Sequence, residues 1–226
     1  MASTLDVPIV QKQRLEEDIV EITCRFDGST LPFKAGQHIR VSLPSLYFSD
    51  DKGKTRTFNI LSSPNNTEYI SFAFVNSDSG FKKTINQLKI NSMINLQGPF
   101  GMFTLPENNK DIIFISEGIG IVPCISMILY ATEELFSNKI TMIYSGNKKI
   151  PYHNDLQTLK DTNKNFTFHT KTGTLDKDFV NKNISNVNDS LFYISGNTKT
   201  TSSIKQILLQ KNIPISNIKI EEFAGY

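Results

Sequence analysis

The chain has 226 residues, 38% of them hydrophobic and 20% charged, an ordinary composition for a folded protein with one large core or two smaller ones. A net charge of +2 gives no basic field of the kind nucleic-acid binding requires, and no run of about 18 apolar residues offers a membrane-crossing helix. The N-terminal MASTLDVPIVQKQ lacks a signal-peptide core, so the chain reads as cytoplasmic, with small ligands or local surface patches as its partners. Cys24 and Cys124 are far apart and are expected to be reduced and buried. His38, His153 and His169 are isolated and no metal-ligand spacing occurs, so no protein-bound metal is expected.

The first half is written in strands. A segment around residues 8–14, then IVEITCRF (19–26), HIRVSLP (38–44), a segment at 56–60, YISFAFV (69–75) and SMINLQG (92–98) are short and β-rich. Turn clusters separate them, among them Asp27-Gly28-Ser29 and Ser49-Asp50-Asp51-Lys52-Gly53. Six such strands predict a small antiparallel Greek-key barrel, interrupted by one helix at GFKKTINQLK. The second half alternates instead. Strands at 111–116, 139–145, 166–171, 191–195 and 217–223 are separated by helical segments at 122–136, around 152–159, near 175–179 and from Thr200 on. In the first of these helices Pro123 suits the opening turn, and Ile125, Ile128, Leu129 and Phe136 give an apolar face. This grammar predicts an open parallel α/β sheet of the nucleotide-binding kind. The polar stretch PENNKD marks the boundary, dividing the chain into residues 1–107 and 108–226.

Several short motifs carry chemistry. In SEGIGIVP (116–123), Gly118 and Gly120 follow the first α/β strand, where backbone N–H groups and a helix start can meet a pyrophosphate; a tight strand-to-helix turn reads the same way. Ser195 and Gly196 end the fourth strand of that sheet. In SDSGFKKT (77–84), a helix start carrying Lys82, Lys83 and Thr84 makes an anion site or a capped helix with solvated lysines. In RTFN (56–59), Arg56 supplies a guanidinium fork suited to phosphate, Phe58 a flat apolar face and Asn59 a polar neighbour. After the second α/β strand, SGNKK (145–149) has no acidic residue to hold a ribose 2′-hydroxyl, whereas Ser145, Lys148 and Lys149 suit a 2′-phosphate.

Taken in order along one chain, RTFN, SGFKKT, GPFGMF (98–103), EGIGIVP (117–123), ISGN (194–197) and the terminal EEFAGY (221–226) resemble the ferredoxin–NADP reductase superfamily. FKAGQHIRVSLP (33–44) and YHNDLQTL (152–159) are similar to it too, so the resemblance covers nearly the whole chain. It implies FAD on the barrel and NAD(P)H on the α/β domain, with nicotinamide meeting flavin between them. Carried over, Arg56 and its neighbour Thr57 approach the FAD pyrophosphate, Phe58 packs on the flavin and Asn59 lies near the flavin N5. The same resemblance puts Phe72, Ala73 and Phe74 along the flavin and Lys82, Lys83 and Thr84 on the FAD phosphates. Gly118, Gly120 and Gly196 fall to the pyridine nucleotide, Ser195 to the nicotinamide, and Tyr226 or Phe223 to a stack over the flavin ring. Four positions depart from the pattern: Phe58 replaces the usual Tyr, Asn59 a Ser or Thr, Glu117 a Gly or Thr, and Ser195 a Cys. The implied activity is hydride transfer between NAD(P)H and flavin, with electrons passed to or from a separate carrier such as ferredoxin or flavodoxin. NADPH is favoured over NADH by SGNKK. The alternative is a flavin-bearing electron-transfer subunit with little pyridine-nucleotide turnover of its own.

Overall fold

The structure is a computed structural model and describes residues 3–106, 110–184 and 189–223. Strands β1 (Ser3–Arg14), β2 (Ile19–Arg25), β3 (His38–Ser42), β4 (Thr55–Asn59), β5 (Tyr69–Val75) and β6 (Met93–Phe100) build the first half, with helix α1 (Gly80–Gln87) between the last two. Their spatial order is β4-β3-β6-β1-β2-β5, every pairing antiparallel. β6 returns to lie between β1 and β3, the long connection of a Greek key. A bridge from Ile60 to Phe72 joins the two edges, so the sheet is a nearly closed barrel.

The alternation of YISFAFV shows how sequence sets the barrel. Ile70, Phe72 and Phe74 project inward onto Val20, Ile22 and Cys24, while Ala73 on the opposite face joins a separate apolar cluster. β1 starts earlier than the sequence signal at residue 8. Residues 3–8 pair with β6 and residues 9–14 with β2, so one long strand serves two partners and Pro8 lies where it changes from one to the other.

The second half comprises β7 (Asp111–Glu117), α2 (Ile121–Glu133), β8 (Ile140–Gly146), α3 (His153–Thr162), β9 (Phe166–Thr172), α4 (Lys177–Asn183), β10 (Ser190–Gly196), α5 (Thr198–Gln210) and β11 (Ile218–Glu222). All strands are parallel, in the order β11-β10-β7-β8-β9. The chain therefore reverses direction across the sheet between β7 and β10, and the crevice outside their carboxyl ends is where such sheets bind ligands. Helix α4 begins two residues later than the sequence suggests, because Asp176 accepts the Phe179 N–H at 2.8 Å and caps it there. The expected boundary between residues 107 and 108 lies outside the described residues. No helix among the described residues is long and apolar enough to cross a membrane. Cys24 and Cys124 are both buried and unpaired, and burial pushes each thiol up to about 12.

Helix α2 is apolar on nearly every side. Its Ile121, Val122, Ile125 and Ile128 share one cluster with Phe114 and Tyr144 of the sheet and with Ile19, Ala35, Leu61, Ala73 and Phe103 of the barrel half. Polar contacts flank this mass. Ser126 donates to the Ser62 carbonyl at 2.7 Å, and Tyr152 of the α/β half donates to Glu21 of β2 at 3.5 Å. Burial raises the pKa of Glu21, and the nearby Asp155 raises it further, against the opposing Tyr152 hydrogen bond. A carboxyl raised in this way stabilises the fold below its unfolded pKa, and that contribution is lost as pH rises through the folded value. Glu21→Gln is therefore expected to raise the Tm by a few degrees at pH 7 and to give no gain in acid, a difference that thermal melts between pH 4 and 8 measure.

Candidate active site

Strand β4 places two of the predicted site residues, Arg56 and Phe58, two positions apart on one face. Phe58 is only 5% exposed and lies nearly parallel to Phe72, ring centroids 5.1 Å apart, with Phe74 and Phe81 tilted against it at 5.4 and 5.8 Å. Arg56 lies over the Phe81 ring at 5.2 Å and donates to the carbonyls of Lys52, Gly53 and Thr55 at 3.0, 2.9 and 2.8 Å. Its other amino group pairs with Asp50. Asp50, Arg56 and Phe58 wall a cleft of about 900 Å³ that runs from the 49–52 loop past Thr57 to Asn59, Glu221 and Phe223.

One end of this cleft holds an anion of the protein's own, Asp50. Asp50 Oδ2 accepts the Phe81 N–H in the first turn of α1 at 2.8 Å, while Oδ1 takes the Lys52 N–H at 3.0 Å and the Arg56 guanidinium. The Phe81 N–H, then that of Lys52 and the Arg56 pair, hold the Asp50 carboxyl below the usual carboxylate range against a smaller desolvation effect. Lys82 lines the same cleft, and burial, together with the positive charges of Arg56 and Lys52, lowers its pKa. Such a donor set fits the pyrophosphate of FAD: a rigid fork and a helix start converge where a carboxylate now sits, with Lys82 in the same cleft. Asp50→Asn is expected to tighten FAD binding severalfold, because the competing charge is gone, and to lower the melting temperature of the cofactor-free protein. Titration of the apoprotein by flavin fluorescence checks the first, and a melt checks the second.

The structure separates the other predicted residues. Thr57 lines the cleft. Phe72 and Phe74 are fully buried within the barrel, behind Phe58, and Ala73 packs in the cluster on the far side of β5. Thr84 points into the fold, donating to the Gly80 carbonyl at 2.7 Å and accepting the Tyr47 N–H at 3.0 Å. Lys83 pairs with Asp78 at 3.1 Å on the exposed side of α1. Asn59 is buried and donates to Glu221 Oε1 at 3.2 Å, and His38 Nδ1 lies 3.5 Å from the same oxygen. Pairing of His38 opposite Asn59 in β3–β4 brings the two together. Phe223 lines the cleft and donates its N–H to the Gly196 carbonyl at 3.0 Å; Tyr226 lies outside the described residues.

At the switch point of the parallel sheet, Gly118–Gly120 form a single 3-10 turn leading into α2. Gly120 admits no side chain, since an added Cβ would lie 2.4 Å from the Ser195 carbonyl oxygen. Ser195 is fully buried, and its hydroxyl donates to the Gly120 carbonyl at 2.7 Å with Cys124 Sγ 3.3 Å away. That hydroxyl ties β10 to the turn and does not reach the cleft. Gly196 ends β10 beside Phe223. Ser145 is buried, donating to Glu117 at 3.5 Å, and Lys149 Nζ pairs with Glu16 at 2.7 Å. Sequence reading missed Asp50, His38, Glu221 and the Glu16–Glu17 pair as site residues. The turn cluster 49–53, FKAGQHIRVSLP and EEFAGY contain Asp50, His38 and Glu221, but no local signal gave any of them a role.

Residues 6–105 match the family described as the oxidoreductase FAD-binding domain. Flavohemoprotein A of Dictyostelium discoideum is 25% identical over 207 residues, covering 84% of this chain and 52% of that protein. A component of the Na(+)-translocating NADH-quinone reductase of Serratia proteamaculans is 23% identical over 253 residues, or 88% of this chain and 62% of that component. The chain thus spans roughly half to three-fifths of the length of these relatives. Among solved structures, the FAD/NAD-binding domain of a nitric oxide dioxygenase from Vibrio cholerae superposes with a TM-score of 0.87 at 17% identity, covering 97% of this chain and 98% of that one. Ferredoxin–NADP+ reductase from Plasmodium falciparum, solved with 2′P-AMP, gives a TM-score of 0.79 at 23% identity, covering 98% and 97%. These two show the shared fold.

Proposed function

We propose, because residues 6–105 match the oxidoreductase FAD-binding domain and the chain shares the fold of ferredoxin–NADP+ reductase, that it is a member of the ferredoxin–NADP reductase superfamily and an FAD-dependent NAD(P)H oxidoreductase. On this reading residues 1–107 hold FAD, residues 108–226 hold the dinucleotide, and electrons leave to a separate protein carrier of the ferredoxin or flavodoxin kind. The observation that carries the proposal is the Arg56–Asp50–α1 cradle, which adjoins the Phe58 face in one cleft. When bound, FAD supplies the two-electron and one-electron chemistry, and the protein supplies position and water exclusion. Arg56, Lys82 and the α1 N-terminus anchor the phosphates, Phe58 bears on the ring system, and the Asn59 amide, fixed by Glu221, presents polar atoms beside it. Gly118 and Gly120 open the neighbouring crevice to a second nucleotide.

The visible spectrum of the purified protein is the first test, and a chain that neither carries nor takes up flavin would sink the proposal. Anaerobic mixing with NADH and NADPH then checks turnover, with rapid bleaching of the flavin band expected for at least one of them. A second reading, a flavin-bearing electron-transfer subunit, is favoured by the inward hydroxyl of Ser195 and by the Asn59–Glu221 hydrogen bond, which engages the amide beside the flavin position. A flavin that stays oxidised with both dinucleotides selects it.

A further inference from the structure

The loop after β8 carries an amide cradle that is filled from the other half of the molecule. β8 ends at Gly146, where an added Cβ would lie 1.7 Å from the Lys149 carbonyl oxygen, so only glycine lets the 146–149 loop close on itself. The closed loop turns three consecutive backbone N–H groups outward together. All three point at Glu17: Asn147 N–H to Oε2 at 3.0 Å, Lys149 N–H to Oε1 at 3.0 Å, and Lys148 N–H to Oε1 as well. The segment that delivers this carboxylate is held in the left-handed region at two successive non-glycine residues, Glu17 (φ 56) and Asp18 (φ 57). Burial works against the charge on Glu17, but the three N–H groups and Lys148 prevail and hold its pKa below the ordinary value. Beside it, Glu16 takes Lys149 Nζ. All three amides of this loop and the Lys149 ammonium thus meet carboxylates of the barrel half, and the charge of Lys148 acts on Glu17 as well.

This cradle opens on a cavity of about 510 Å³ whose other wall is Gly118 and Ile119. The cavity therefore runs from the turn that would meet a dinucleotide's pyrophosphate to the end of the second strand of the sheet, where the ribose of such a ligand is read. Glu16, Glu17 and Asp18 line it on the barrel side. A ribose 2′-phosphate arriving here meets an anion already seated in its amide cradle, and a like charge so placed opposes binding. A 2′-hydroxyl meets a hydrogen-bond acceptor instead.

We propose that Glu17, reaching across from the barrel half, is a specificity-determining residue that fills the anion cradle of the 147–149 loop and turns the site towards the unphosphorylated dinucleotide, NAD(H). This rests on the pyridine-nucleotide reading above and replaces the preference for NADPH that SGNKK suggests when read alone. The test uses the full FAD-loaded chain, wild type and Glu17→Gln, titrated calorimetrically with four probes that need no turnover: 5′-AMP, adenosine 2′,5′-bisphosphate, NAD+ and NADP+. The wild type is expected to bind 5′-AMP and NAD+ about tenfold tighter than their 2′-phosphorylated counterparts. Glu17→Gln is expected to raise affinity for the two phosphorylated probes by about the same factor relative to their unphosphorylated counterparts, so that the discrimination is lost. A wild type that binds the 2′-phosphorylated probes as well or better overturns the proposal, and that ratio is readable even if the variant does not fold. So does a variant that shifts all four probes alike or none. If no probe binds either protein, the pyridine-nucleotide reading fails and takes this inference with it, an outcome distinct from binding without discrimination.

Discussion

Replacing Arg56 by Ala is expected to weaken FAD binding by roughly ten- to a hundredfold, the factor that corresponds to losing a charge-assisted hydrogen bond of about 1.5–3 kcal/mol. Two effects act in the same direction. The phosphate loses a fork that the carbonyls of Lys52, Gly53 and Thr55 hold rigid. Asp50, which Arg56 now neutralises, is left facing the incoming anion. Arg56→Lys keeps the charge without the fork and should fall between wild type and Ala. Fluorescence titration of the apoprotein with FAD measures all three, and equal dissociation constants for wild type and Arg56→Ala would move the phosphate elsewhere.

Phe58→Ala carries the largest expected cost to the fold. The ring stacks on Phe72 and touches Phe74 and Phe81, so its removal leaves a cavity in the middle of the barrel, at about 3–5 kcal/mol. For a chain of this size that corresponds to a Tm lower by roughly 10 °C. The same ring is the apolar wall of the cleft, so flavin affinity should fall as well. Phe58→Leu refills most of the volume but not the flat face. Leu should therefore recover much of the Tm and little of the flavin affinity. If Leu restores both equally, Phe58 is a core residue and nothing more. Melts of the apoprotein and FAD titrations separate the two roles.

Much of the architecture was readable from the chain because its causes are local. YISFAFV alternates around a barrel wall, and Pro123 followed by an apolar run opens a helix. The order of short motifs then placed Arg56, Phe58 and Lys82 at one cleft. What stayed hidden depends on contacts between distant parts of the chain. No local rule says that Thr84 and Ser195 turn their hydroxyls inward onto Gly80 and Gly120. Asp50 reads as one more turn residue until the fold sets it against the first turn of α1. Glu17 meets the loop at Lys148 from 131 residues away, so the basic look of SGNKK was legible and its neutralisation was not.

Helix α2 has a consequence for how such a chain can be shared out among larger proteins. Its apolar surface is common property of the two halves, since Ile19, Leu61, Ala73 and Phe103 lie in one cluster with Ile121, Val122 and Ile125. A barrel severed from the α/β half would carry that face into water, where a contiguous greasy patch invites self-association. The two halves therefore travel as a pair. Parting the barrel from the sheet would expose this shared cluster, so a partner joined to such a chain is expected to leave that seam closed.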